Sequence, residues 1–356
     1  MSDGGAPKES ISADEHLLPP QCILLQLDTG DSVFLTLRRE KDGKFGFVSS
    51  KYRVSKPMLK LQPGMHLAVD PSSRYMVVGC SEGIFAIYSL HPRSSLTKQY
   101  MQTSSLEHVG SETQIYPRGV ILRMEFLYPA ADDEQHIILL VLAVLKGKIR
   151  MLLYEWTAGS DLKKVTARSS KGYLLEKSRQ VPLLLIPLTI KSSFILVYEN
   201  SMAVCQGILH GTPKLIYFNE RVDKPTAFHH GLGTPLWTSW TRPSRLESHK
   251  VTRDDLFIAR EDGLVKFLEI DSEDDDVVTA DNNIGELGAN CGMALASLDY
   301  PNKNAKSGDL FIVGGNSSSG GTYLVSSTGP SFRQIRLIHS ECSVAGLEFS
   351  NADICI

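Results

Sequence analysis

Val77-Val78-Gly79-Cys80-Ser81-Glu82-Gly83-Ile84-Phe85-Ala86-Ile87-Tyr88 is the stretch that decides the fold. It is two apolar segments joined at Glu82-Gly83, and the same figure returns twice. Residues 141–152 repeat it about Lys146-Gly147, and residues 256–267 repeat it about Asp262-Gly263. Segments so rich in Val, Ile, Leu, Phe and Tyr suit a pleated, partly buried surface. Gly and Asn adopt positive φ at little cost, so such turns fit two-residue hairpins. Weaker copies turn at Lys41-Asp42-Gly43, at Glu199-Asn200-Ser201 and at Ser319-Gly320.

The turns fall near residues 43, 83, 147, 200, 263 and 320, so successive copies lie 40 to 64 residues apart. That spacing matches a four-stranded propeller blade with inserted loops. Residues 65–70, 120–127, 182–188 and 293–298 precede four of the hairpins and are expected to be innermost strands. A strand covered from both sides should be continuously apolar, as Ile121-Leu122 and Leu183-Leu184-Leu185 are. The expectation is an all-β protein, a propeller of six to seven blades over residues 21–356. Residues 1–20, with Gly, Ser, Pro, Glu and Asp in no periodic order, read as a flexible tail. Ser343-Val344-Ala345-Gly346-Leu347-Glu348-Phe349 opens like a further blade, and the sequence stops at Ile356. The last blade is therefore expected to be incomplete and the chain a truncated propeller.

Composition narrows the function classes. At 356 residues and 42% hydrophobic, the chain has ample apolar material for a core. A formal net charge of -3 argues against a protein whose main task is to coat nucleic acid or an anionic membrane. The six cysteines (Cys22, Cys80, Cys205, Cys291, Cys342, Cys355) form no CxxC pair. They suggest neither a zinc site nor a disulfide framework, and read as small apolar residues in a reducing compartment. The longest apolar run, residues 137–145, is about half of what a membrane helix needs. The N-terminus has no apolar signal-peptide core. These features together read as a soluble intracellular protein.

Several short motifs invite a chemical reading. Gly79-Cys80-Ser81-Glu82-Gly83 matches the G-x-S-x-G nucleophile elbow, yet that elbow needs a helix after the turn and here Ile84-Phe85-Ala86-Ile87-Tyr88 is a strand. Gly314-Gly315-Asn316-Ser317-Ser318-Ser319-Gly320-Gly321 lacks the Gly-Lys-Ser/Thr of a phosphate loop and reads as a hairpin tip. His229-His230, with His210 upstream, lies among Gly231, Gly233 and Pro235 without further ligands at zinc spacing. The acidic run at residues 271–281 lacks the central Gly and terminal Glu of a calcium loop, and reads as a solvated loop. Lys146, Lys148 and Arg150 alternate on one strand face. They suit either a phosphate or acidic partner, or an outer blade edge kept unpaired by charge. Lys163-Lys164 and Lys171 follow in the next loop.

Trp156, Trp237 and Trp240 are each followed by Thr, so the Trp-Asp dipeptide of WD40 blades is missing and the propeller is of a non-WD40 type. No catalytic set of carboxylates or of Ser, His and Asp can be placed, and no catalytic, cofactor-binding or metal residue is assigned. The stretch Pro63-Gly64-Met65-His66-Leu67-Ala68-Val69-Asp70-Pro71-Ser72-Ser73-Arg74-Tyr75-Met76-Val77-Val78-Gly79, followed by Glu82-Gly83-Ile84-Phe85, resembles the first propeller of the triple-propeller nuclear scaffolds. That family comprises the large damaged-DNA-binding subunit, the A subunit of cleavage and polyadenylation specificity factor, the spliceosomal triple-propeller subunit and the methyl-methanesulfonate-resistance protein. The resemblance leans to the last. Leu153-Tyr154-Glu155-Trp156, Asp255-Leu256-Phe257-Ile258 and Gly308-Asp309-Leu310-Phe311-Ile312-Val313-Gly314 are similar to later hairpins of the same family.

The resemblance implies a non-enzymatic scaffold in the nucleus, partnered by subunits of a multiprotein complex and reaching DNA or RNA through it. DNA repair as a ubiquitin-ligase adaptor, and pre-mRNA 3′-end processing or splicing, are the implied settings. No membrane and no small-molecule substrate are expected. Two alternatives are a propeller hydrolase with its site in the central channel and a cytoplasmic trafficking propeller. The hydrolase requires ionisable residues on the inner strands, where residues 120–126 offer only Arg123 and Glu125.

Overall fold

Neighbouring residues of the segment Tyr75–Cys80 face opposite ways, and both faces are buried. Met76, Val78 and Cys80 pack with Phe34 and Val54 on one side. Tyr75 and Val77 pack on the other side with Ile137, Leu139 and Trp156. The pattern advances by one sheet each time: Ile138, Leu140 and Leu142 meet Phe194, Leu196 and Tyr198, while Ile195 and Val197 meet Leu256 and Ile258. The middle strands of the second, third and fourth sheets thus each separate two cores. That is why these strands read as unbroken apolar runs and not as alternating ones.

The computed structural model describes residues 22–27, 29–39, 45–54, 66–80, 82–92, 108–117, 119–130, 132–175, 181–190, 192–218, 236–240, 253–260, 264–273, 276–286, 294–300, 308–314, 319–325 and 332–339. They form six antiparallel sheets. The first has three strands, β1 (Cys22–Gln26), β2 (Asp31–Arg39) and β3 (Phe45–Arg53). The second holds β4 (His66–Val69), β5 (Tyr75–Cys80), β6 (Ile84–Leu90) and β7 (Val109–Ile115). The third holds β8 (Val120–Leu127), β9 (His136–Leu145), β10 (Lys148–Thr157) and β11 (Tyr173–Leu174). In the fourth are β12 (Leu184–Pro187), β13 (Phe194–Val197), β14 (Met202–Gln206) and β15 (Lys214–Phe218). The fifth contains β16 (Trp237–Trp240), β17 (Arg253–Arg260), β18 (Leu264–Glu273) and β19 (Asp276–Glu286). The sixth contains β20 (Ala294–Tyr300), β21 (Gly308–Gly314), β22 (Ser319–Val325) and β23 (Phe332–His339).

From the second sheet onward the first strands lie side by side in the series β4, β8, β12, β16, β20. Sheets of sequential strands, joined face to face along a ring of first strands, make a β-propeller. The expected all-β propeller and its hairpins at 83, 147, 200 and 263 are present.

Three expectations need correction. Continuous burial holds for only some first strands: β12 is buried throughout, whereas β8 leaves Val120 exposed and Leu122 half-buried. A first strand borders the channel, whereas the middle strands are sandwiched. Ser319-Gly320 opens strand β22 and is not a turn, since Gly320 pairs with Ile338. The acidic run at 271–281 is not a loop throughout: the ends of β18 and β19 pair across it, Ser272 with Val277 and Glu273 with Asp276. Residues 1–20 and 343–349, the expected tail and incomplete blade, lie outside the described residues.

Candidate interaction surface

Antiparallel hairpins place their connections alternately at two ends of a blade, giving the disc two faces. On one, here the upper face, the turn between second and third strands meets the entry to the next blade. Gly83, at the β5–β6 turn, abuts Gly119 just ahead of β8, and a Cβ there would fall 2.1 Å from the Gly119 carbonyl oxygen. On the lower face Arg74 donates from Nη2 to the Glu134 carbonyl at 2.5 Å and from Nη1 to Gln135 Oε1 at 3.2 Å. There too Arg168 Nη1 donates to the Leu209 carbonyl at 2.7 Å.

Around the channel the blades are joined by polar contacts. Arg123 Nε on β8 donates to the Leu183 carbonyl ahead of β12 at 2.7 Å, and Nη1 donates to its neighbour Leu122 at 2.7 Å. Burial pulls the Arg123 pKa down and the nearby Glu125 carboxylate pulls it up, burial being the larger effect. His66 Nε2 on β4 lies 3.1 Å from the Ile121 carbonyl, a bond that requires the ring to donate from that nitrogen. Burial holds this imidazole below its ordinary pKa of 6.5. Between the fourth and fifth sheets, the buried Asp254 carboxylate accepts from the Thr189 N–H at 2.8 Å, the Ile190 N–H at 3.3 Å and the Thr189 hydroxyl. Arg123, weighed above as a channel acid–base group, thus spans a blade junction.

The upper face carries the exposed chemistry. Tyr116 (60% exposed) and Val120 (50%) flank the entry to β8; Val181 (53%) precedes β12 and Leu236 (39%) precedes β16. Beside Val120, whose strand partner is Val144, the β9–β10 turn raises Lys146 at φ 51°. Lys146, Lys148 and Lys171 are exposed. Arg150 Nη1 donates to the Lys171 carbonyl at 2.9 Å and approaches that of Gly172 at 3.5 Å, drawing Lys171 toward the same corner.

The other sequence candidates fare differently. Lys148 and Arg150 share a face of β10, but β10 is not an outer edge: β11 pairs with it at Arg150 and Met151, and Ala167 bridges to Tyr154. Lys163-Lys164 lie in a short 3-10 turn whose first N–H groups are capped by Asp161, on the lower side after β10. His210 is exposed in the turn after β14; His229-His230, Ser81 and residues 315–318 lie outside the described residues. Among the described residues no group of three or more His, Cys, Asp or Glu is arranged to hold a metal ion. Sequence reading missed Tyr116, Val181, Leu236 and the strand β16. A signal was there, since each of the three adjoins a proline, in Tyr116-Pro117, Val181-Pro182 and Pro235-Leu236. A proline drives the residue before it, here Tyr116 and Val181, to extended backbone, as a loop-to-strand entry requires.

A family description of the first β-propeller of RSE1, DDB1 and CPSF1 matches residues 6–342. A search of curated proteins returns no match. The match spans all six sheets and extends over nearly the whole chain, so this protein belongs to the RSE1/DDB1/CPSF1 first-propeller family.

Proposed function

We propose that this propeller is a non-enzymatic docking module of a nuclear multiprotein complex, serving either DNA repair as a ubiquitin-ligase adaptor or pre-mRNA 3′-end processing and splicing. The family match over residues 6–342 carries the reading. The physical basis is a disc stiffened by polar contacts between blades, holding two loop-bearing faces in fixed relation. Binding is then assembly and not turnover, and DNA or RNA is reached through the complex. Among the described residues no helix is long and apolar enough to cross a membrane.

The test is immunoprecipitation of the native protein from a nuclear extract, with mass spectrometry of the bound chains. Cullin-ligase subunits indicate the repair branch, and polyadenylation or splicing subunits the RNA branch. A protein recovered from cytoplasm alone, with coat or trafficking subunits, refutes the nuclear reading.

A further inference from the structure

We propose that the upper rim from the second to the fifth sheet docks an acidic protein segment through apolar side chains seated on Tyr116, Val120, Val181 and Leu236. This rests on the scaffold reading and names the partner's chemistry. Three separate chain connections each bring an exposed apolar side chain to the same face, at successive blade entries. Gly83 against Gly119, Val120 opposite Val144, and Arg123 bonded to Leu183 fix these entries on one rim. An arc of exposed apolar side chains flanked by charge has the composition of a contact core with a charged margin.

Charge selects the partner. Lys146, Lys148 and Lys171 stand exposed beside Val120, with Glu82 exposed on the neighbouring turn and Glu199 half-buried on the next. On the lower face the β8–β9 connection presents Asp132, Asp133 and Glu134 together, while Lys163 and Lys164 stand apart from it in the turn after β10. Carboxylates on the partner are therefore attracted to the upper corner of the third sheet and repelled from the loop directly beneath it. Nucleic acid fits less well. Single strands are held by successive aromatic platforms, and among the described residues this rim offers Tyr116 beside aliphatic side chains. Arg150 already directs its Nη1 to the Lys171 and Gly172 carbonyls.

The experiment is selection of a phage library of random 16-residue peptides on the immobilised full chain, with the selected peptides measured by fluorescence anisotropy beside a 20-residue oligouridine. Peptides enriched in Asp or Glu together with Leu, Ile or Phe are expected. Their affinity should fall at least tenfold both in Lys146→Glu/Lys148→Glu and in Val120→Ser/Val181→Ser, and stay unchanged in Asp132→Lys/Asp133→Lys. All four aliphatic and basic positions are exposed, and circular dichroism of each variant verifies the fold. Selection yielding no acidic–apolar peptides, or equal affinity in either upper-face variant, overturns the proposal. Oligouridine binding that is lost in the lysine variant, without peptide binding, replaces it with a nucleic-acid site. The scaffold reading is judged separately: nuclear complex subunits that co-precipitate equally with wild type and both upper-face variants leave it standing while this inference fails.

Discussion

β9 and β1 are both apolar strands, and they meet opposite fates. In β9 the residues from Ile137 to Ala143 are buried without interruption. In β1, Ile23 is 51% exposed and Leu25 42%. Composition does not separate them. Position does: β9 has a sheet against each face, whereas the first sheet packs Leu24, Phe34 and Tyr52 on the second sheet and turns Ile23, Leu25 and Phe47 outward. A blade is held by its neighbours more than by its own residues.

The largest effect should come from shortening a side chain between two sheets. Leu140→Ala leaves a cavity in the core shared by the third and fourth sheets and is expected to cost about 2–5 kcal/mol in urea denaturation. Leu25→Ala should stay within about 0.5 kcal/mol. A Leu25 cost comparable to that of Leu140 would break the comparison, because it would mean that the outer face of the first sheet is covered in solution.

Carboxylates sharpen the same contrast. Asp254 is buried and accepts three hydrogen bonds across a blade junction, so Asp254→Ala strands two backbone N–H groups and a hydroxyl. About 2–4 kcal/mol should be lost. Asp31 in the first sheet pairs with the exposed Arg53 at 2.8 Å, and that guanidinium holds its carboxyl below the usual range. Asp31→Asn should leave the denaturation midpoint unmoved within error, because water screens the pair.

Two glycines at hairpin tips give the next pair. Gly83 has φ 81° and sits against the Gly119 carbonyl, while Gly147 has φ 74° with open space where a Cβ would go. Gly147→Ala incurs only left-handed backbone strain, about 1 kcal/mol. Gly83→Ala adds a backbone clash that no rotamer relieves and should exceed Gly147→Ala by about 1 kcal/mol or more, read in the same assay.

Much of the fold was legible because its signal is local. Glu82-Gly83 and Lys146-Gly147 announce their turns, and the apolar runs around them report burial on both faces. β16 was missed because Trp237-Thr238-Ser239-Trp240 is short and half polar, and only its neighbours β12 and β17 make it a strand. The acidic run at 271–281 was misread for the same reason: Asp and Glu disfavour strands intrinsically, yet the register of β18 against β19 carries the pairing through them. The candidate surface was legible only in its lysines. Tyr116, Val181 and Leu236 lie far apart in the chain and become one rim only when the blades are stacked, which no local pattern encodes. Asp254 is likewise silent in sequence, because its partners stand some 65 residues upstream.

The smallest effect is a slope in pH, and it tests whether the inner strands are joined as described. His66 on β4 reaches the Ile121 carbonyl on β8, and burial lowers its pKa from 6.5. In the unfolded chain the ring takes up a proton near pH 6.5; in the folded chain it does so only at lower pH. As pH falls through that window the unfolded state binds more protons, so the free energy of unfolding must decline. His66→Gln retains an N–H donor for Ile121 but cannot titrate. Urea denaturation at pH 7.5 and pH 5.5 should therefore show a smaller loss of stability in the variant than in the wild type. Other histidines contribute equally to both proteins, so the difference isolates this one. Equal losses would mean that His66 is as well solvated folded as unfolded, and that the junction between β4 and β8 is open to water, like the outer face of β1.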